Sequence, residues 1–421
     1  MLVWALYALV LSIAPLFFSK GFALTLMSQI GITIIFALSY NMLLGQTGML
    51  SFGHAVYSGL GAYVAVHALN AIGKGSFAFP VTLLPLIGAL AGMFFAAIFG
   101  YITTRRAGTT FAMISLGIGE LVFACSLMFP GFFGGEGGVT TNRVVGAPFL
   151  GISALTLGPA IQVYYLIAAW CFIATGAMFA FTRTPLGRIA NAVRDNAERA
   201  EFIGYNPRRV RFLVMTLAGF FAGIAGALSC INYEIVNAEN VGAIRSGGVL
   251  IATFIGGAGF FFGPILGAII YSTMVIAVGA VTKAWLLYLG LLFVVMVLYA
   301  PGGLASLIGG NLRMARFGQL RRLLAPYAGA LAAALVLLAG VIAAVEMTYH
   351  LSLEAGADSI MKLAGFAIDV KRPTSWFVVA AMLAIGGGLF TLAWGRVRRE
   401  WNEGQRIVEA RESVLVSEDA R

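Results

Sequence analysis

Long apolar runs, separated by short polar or glycine-rich breaks, dominate the chain. Segments near 2–18, 22–44, 52–72, 79–104, 108–130, 160–182, 211–232, 247–262, 263–282 and 284–300 carry this pattern. Most approach the roughly 20 apolar residues a helix needs to cross about 30 Å of hydrocarbon. Two further runs follow near 325–345 and 375–395. Leu2–Phe18 has no preceding Lys or Arg and no small-residue cleavage site after it, so it reads as a first span rather than a secretory signal. The pattern predicts an all-α, polytopic transmembrane helical bundle with about ten core segments plus two C-terminal spans. Glycines and Pro264 interrupt 52–72 and 247–282, which are therefore expected as broken or re-entrant helices.

Composition removes the soluble alternatives. Of the 421 residues 60% are hydrophobic and 10% charged, against about 25% charged in a soluble domain. The 53 glycines suit close helix approach in a membrane. Cys125, Cys171 and Cys230 lie in apolar runs, and His54, His67 and His350 are scattered, so neither a disulfide framework nor a metal site is expected.

The net charge of +10 reads as topology rather than as nucleic-acid binding. Alternating the twelve segments from a cytoplasmic N-terminus gathers basic residues on one side, as the positive-inside rule requires. Arg105 and Arg106, seven arginines in 183–211, four in 313–322 and six from Arg396 to Arg421 fall there, out of 27 Lys and Arg. Lys20, Lys74, Arg143, Arg245 and Lys283 fall opposite. Both termini are then cytoplasmic, in a bacterial inner membrane. Composition shifts after Pro301, dividing the chain into a core at 1–300, a basic cytoplasmic linker at 301–324, a two-span extension at 325–395 and a charged tail at 396–421. A mixed-charge segment, 346–373, is expected as a short helix on the outer surface, and the tail as a frayed helix.

Two stretches carry candidate chemistry. In 183–211, Pro185 suits a helix start, and Leu186, Ile189, Val193, Ala197 and Ala200 form an apolar stripe at helical spacing. Arg194 with Glu198, and Asp195 with Arg199, stand four apart and can pair. Gly204 then stops a short amphipathic helix outside the bilayer. The second stretch, SYNMLLGQTGMLSFGHAVYSGLGAYVA at 39–65, is too rich in glycine for a sturdy isolated helix. It is expected either as close packing through small residues or as a discontinuous element beside a translocation path. Glu120, midway along 108–130, is costly near a bilayer centre and is expected to face the bundle interior, with His54 as a possible partner. Gly45-Gln46-Thr47-Gly48 before Phe52-Gly53 loosely parallels Gly256-Gly257-Ala258-Gly259 before Phe262-Gly263.

Glu198-Arg199-Ala200-x-x-x-Gly204 resembles the EAA-x-x-x-G signature of permeases in ABC importers, with Arg199 in place of the first alanine. The match then tightens. GQTGMLSFGHAVYSGLGAY, RRAGTTFAMISLGIGELVF (105–123), FGGEGGV (133–139), the run 185–228 and GGAGFFFGPILGAII (256–270) together resemble the LivM-type permeases of branched-chain amino-acid ABC importers. The resemblance covers about residues 25–305. Thr109 and Thr110 depart from the pattern, and the spans after Pro301 lie outside it.

The resemblance implies a non-enzymatic permease subunit for branched-chain or other hydrophobic amino acids. It implies a paralogous permease, two ATP-binding cassette subunits carrying ATP-Mg, and an external binding protein as partners. No phosphate-binding G-x-x-x-x-G-K-[ST] motif occurs in this chain, so no cofactor is expected on it. On this reading Gly45, Gly48, Ser51, Phe52, Gly53, His54 and Glu120 line the substrate path. Gly187, Arg194, Glu198, Ala200 and Gly204 belong to the ATPase-coupling helix. The competing readings are an ion-coupled secondary transporter with Glu120 as coupling group, an ABC permease of the same family for urea or amides, and a channel or scaffold.

Overall fold

Backbone amides in hydrocarbon must be satisfied within their own segment, which favours helix wherever the apolar runs are long. The computed structural model describes residues 2–18, 20–145, 156–353, 360–363 and 366–419. Among them are α1 (Leu2–Phe17), α2 (Gly21–Thr47), α3 (Ala55–Gly73), α4 (Leu84–Thr103), α5 (Thr109–Met128) and a short α6 (Pro130–Phe133). Next come α7 (Ala160–Arg183), α8 (Pro185–Asp195), α9 (Ala197–Phe202) and α10 (Pro207–Tyr233). After them follow α11 (Ala243–Gly256), α12 (Gly263–Thr273), α13 (Trp285–Tyr299), α14 (Gly303–Arg316), α15 (Leu320–Leu353) and α16 (Pro373–Asp419). Among the described residues eight helices are long and apolar enough to cross a membrane, or nine if α13 and α14 count as one bent span. The chain is thus a multi-pass, all-α membrane bundle.

The twelve apolar runs do not become twelve full-length helices. At 16 residues α1 rises only about 24 Å, and α11 and α12 are shorter still. The expected interruption within 52–72 is absent: α3 runs unbroken through Gly59 and Gly61, and the break precedes it at 48–54. The run 247–282 is broken as expected, between Gly256 and Gly263.

The chain divides into two compact units, residues 1–281 with 288–306 and residues 282–287 with 307–421. In the first, α10 is the central post, buried along most of its length and packed against α2, α3 and α4. Small residues make this possible. A Cβ built on Gly223 would overlap the Gly88 carbonyl oxygen of α4, and one on Gly226 would overlap the Ser58 carbonyl oxygen of α3. At the far end of α10, Glu234 adopts a left-handed conformation with φ 55°. Arg143 secures this end, its backbone N–H donating to Glu234 Oε1 at 2.8 Å and its Nη1 to the Asn232 carbonyl at 3.2 Å. A two-residue antiparallel pair, β1 (Val139–Thr140) with β2 (Ile235–Val236), closes the same corner.

In the second unit α15 and α16 pack together, with Gly340 and Gly386 allowing close approach to Leu383 and Leu337. The mixed-charge segment is not the short surface helix its sequence suggested. Its described part holds an antiparallel hairpin, β3 (Ile360–Leu363) with β4 (Phe366–Asp369). The β-branched Ile360 and Ile368 favour strand over helix; Glu354 and Asp358 lie outside the described residues. Trp376 Nε1 donates to the Val370 carbonyl at 3.0 Å, and Arg372 pairs with Asp369 at 3.1 Å, tying the hairpin to the start of α16. The tail is also not a separate frayed piece, because α16 continues the last apolar run as one helix of 47 residues, about 70 Å long. Arg313 Nε donates to Glu412 Oε1 at 2.9 Å, bracing this extension against α14. Most of 303–324 is helical too, and Arg421 lies outside the described residues.

Candidate functional site

The first break begins where α2 ends. Gly48 takes a left-handed conformation at φ 68°, which an L side chain adopts only at a cost of roughly 1–2 kcal/mol. Its N–H reaches the Leu44 carbonyl at 3.1 Å, and the chain then crosses to α3 without regular structure. That crossing is pinned by side-chain oxygens. Phe52 N–H donates to Ser115 Oγ at 3.0 Å and Ala55 N–H to Ser246 Oγ at 3.0 Å. A Cβ on Gly53 would overlap the Ser115 carbonyl oxygen, so α5 lies directly against the crossing.

Ser51, Gly53 and His54 are fully enclosed, and Phe52 is half-buried. His54 stacks on Phe36, ring centroids 5.4 Å apart, while its Nε2 and Ser39 Oγ share a hydrogen bond of 2.9 Å. The side-chain oxygen of Ser51 and His54 Nδ1 have no hydrogen-bond partner among the described residues. Buried polar atoms of this kind are rare in a settled core.

Glu120 stands apart from this cluster, contrary to the expectation from its depth in the sequence. The face of α5 that packs inward is Phe111, Ala112, Ser115, Gly119 and Val122. The close approach of Gly53 fixes that face, and the helical period then turns Glu120 outward with Met113, Gly117 and Leu121. It is exposed and makes no pair with His54. A carboxylate at mid-span is costly against lipid, so this face of α5 demands water or protein rather than hydrocarbon.

The second break, 257–262, lies against the end of α2. A Cβ on Gly45 would overlap the Ala258 carbonyl oxygen, so the last turn of α2 touches the gap between α11 and α12. The two glycine clusters of the loose sequence parallel thus meet through Gly45 and Ala258.

The polar connector reaches the same point. Thr184 caps α8, accepting from Gly187 N–H at 3.2 Å, and Gly187 itself is buried against the Phe181 carbonyl. Val193 faces inward, as the stripe predicted, and so does Ala190, which the stripe did not include. The predicted single helix is two, however. Asn196 leaves the helical conformation at φ −158°, and its Oδ1 accepts from Arg199 N–H at 2.9 Å to start α9. Asparagine is a strong N-cap, and here it outweighs continuity of the stripe. The break removes the predicted i,i+4 geometry. Arg194 pairs instead with Asp195, Nη2 to Oδ1 at 2.9 Å, and its Nη1 donates to the Gly45 carbonyl. Its stem also lies against Gly48. Arg194 therefore ties the connector to the last turn before the first break.

Ala200 is buried, whereas Glu198 and Gly204 are exposed, Gly204 in a left-handed turn at φ 89°. Beside them Phe202 is 90% and Ile203 65% exposed, an apolar tip on an otherwise polar connector. Sequence reasoning missed this tip. The signal available was two bulky apolar residues that fall off the inward stripe.

Paired helix breaks inside a multi-pass bundle, touched by an amphipathic connector from one end, define a membrane protein of the permease class. The chain belongs to the family described as branched-chain amino acid transport system / permease component, whose model matches residues 22–301. It is similar to the high-affinity branched-chain amino acid transport system permease protein LivM of Escherichia coli, with 27% identity covering 73% of this chain and 75% of the relative. BraD of Pseudomonas aeruginosa, a permease protein of the same kind of system, is 23% identical over 56% of this chain and 78% of its own. The fructose import permease protein FrcC of Rhizobium meliloti is 25% identical over 55% and 67%. No solved structure matches the chain at a significant level.

Proposed function

We propose that the chain is a permease subunit of an ATP-driven importer that translocates branched-chain or other hydrophobic amino acids. An external binding protein delivers them, a paralogous permease completes the membrane unit, and two ATP-binding cassette subunits hold ATP-Mg and supply the energy. The unit sits in the bacterial inner membrane with the connector and both termini on the cytoplasmic side. The observation that carries this reading is the connector: an exposed Phe202–Ile203 tip at one end of a path running through Arg194 to the last turn of α2, where it meets the second break. Such a tip suits a cleft in a partner, and the rigid tie suits transmission of the partner's motion. The solute path then runs beside Ser51, Phe52 and His54, closed on the Glu120 side by the paralogous permease. Gly45, Gly48 and Gly53 let the wall come close without side chains that would grip the solute.

Copurification of the tagged chain with stoichiometric ATPase subunits, together with ATP-dependent uptake of labelled leucine, tests this function. Uptake of urea or amides in place of amino acids would move the substrate, and uptake without ATPase subunits would overturn the assignment. In that assembly Glu198→Ala, Gly204→Leu and Phe202→Ser are expected to insert normally. Each should lower uptake about tenfold, as the loss of a desolvated contact worth about 1–2 kcal/mol would. Wild-type uptake in all three variants would remove the connector from the coupling path.

A further inference from the structure

Arg245 carries a charge that nothing in the described chain neutralises. It occupies the first turn of α11, whose N-terminus at Gly242 has no side-chain cap. Its guanidinium is 5.9 Å from the Phe36 ring centroid, midway along α2. Its Nη2 donates to Ser229 Oγ at 3.4 Å, one turn inside the end of α10, and its Nη1 donates to Asn240 Oδ1. Both helices are membrane spans, so the group sits within the apolar length of the bundle. Every acceptor it has is neutral. None of the ion pairs Arg143–Glu234, Arg194–Asp195, Arg313–Glu412 and Arg372–Asp369 includes Arg245.

A cation held at membrane depth by neutral groups alone is expensive, and such residues mark ion or substrate pathways. Two positive features coincide here. The first-turn amides of α11 lack intrahelical acceptors, and the helix dipole puts partial positive charge at the same end. Half-helices that begin inside the membrane present such ends to anionic solute groups. The guanidinium fork adds the planar, bidentate geometry that fits a carboxylate. Arg245 as a whole is half-buried. Its weakest hydrogen bond, the 3.4 Å contact to Ser229, is the one an arriving anion most easily replaces.

We propose that Arg245, at the uncapped start of α11, receives the carboxylate of the solute as it passes through the bundle. This inference rests on the amino-acid reading and narrows it: the path recognises a carboxylate, and the apolar side chain is left to the glycine-rich wall.

The test is saturation-transfer NMR on the full chain in lipid nanodiscs, with uptake by the complete importer measured in parallel. Leucine and isovalerate, which share the carboxylate, are expected to receive transfer and to compete. Leucinamide, which lacks it, is not. In Arg245→Gln, leucine transfer and ATP-driven leucine uptake should each fall about tenfold, the loss of one charge-assisted interaction, while Arg245→Lys recovers most of both. A merely structural arginine would lower leucine and leucinamide signals alike and spare the preference between them. Wild-type leucine uptake and transfer in Arg245→Gln, or equal transfer to leucinamide in the wild type, would overturn the inference while leaving the importer assignment standing. If the wild-type importer moves urea or amides and no amino acid, the amino-acid reading fails and this one with it.

Discussion

Replacing Gly223 by leucine is expected to prevent the bundle from assembling. Membrane helices gain little from hydrophobic burial against one another, since lipid is equally apolar, so packing at close range must hold them. Gly223 is among the tight points of that packing. A Cβ there would overlap the Gly88 carbonyl oxygen and press within 3.0 Å of the Ala89 Cα. Those neighbours are backbone, not side-chain ends that can swing away. Gly223 in turn supplies the space into which Gly61 and Gly92 fit, so displacing α10 opens two interfaces at once. Overpacking a core typically costs 1–3 kcal/mol, and backbone against backbone should exceed about 3 kcal/mol. The expected result is loss of the monodisperse detergent-solubilised chain and rapid trypsin cleavage, while membrane insertion continues. Gly176→Ala on α7, where an added Cβ meets nothing within 4 Å, serves as control and should stay within about 0.5 kcal/mol of wild type. A Gly223→Leu chain as protease-resistant as the control would refute the glycine-packed post.

Hydropathy showed the membrane class, the helical content and the polar connector, because each depends on the number and order of apolar residues alone. It also located the break near Pro264, since proline and clustered glycines act locally. The facing of Glu120 was not legible for a definite reason. A helix such as α5, with its few polar residues scattered, has no polar face to set its rotation, so the outward turn of Glu120 follows from Gly53 packing on Ser115, a contact between segments more than sixty residues apart. The same limit hid Arg194. Spacing offered Glu198 as its partner, but Asn196 ended the helix between them and left the guanidinium free to reach the Gly45 carbonyl. Arg245 was counted only as one more basic residue on the outer side; its neutral surroundings exist only once α2, α10 and α11 are assembled. Local rules thus sufficed where one segment decides, and failed where two segments meet.

Arg194→Ala should separate ATP hydrolysis from transport. The chain of contacts is short: connector, Arg194, Gly45, then the Ala258 carbonyl in the second break. Carbonyls in the last turn of a helix lack intrahelical donors, so the guanidinium satisfies Gly45 and adds favourable charge at the C-terminal end of α2. A hydrogen bond to a charged group contributes about 1.5–3 kcal/mol, which partial exposure of the Arg194 side chain reduces to about 1 kcal/mol. That loss is too small to unfold the bundle, but it frees the connector from the hinge it would drive. In proteoliposomes containing the whole importer, ATPase activity should stay within about twofold of wild type while leucine moved per ATP falls about tenfold. Arg194→Lys keeps one charged donor and should recover part of the coupling, though without the fork that also holds Asp195. Arg188→Ala, exposed on the same helix, removes an equal charge without touching the break and should couple normally. Equal losses in the Arg188 and Arg194 variants would mean that the connector acts through its net charge, and the mechanical tie would have to be abandoned.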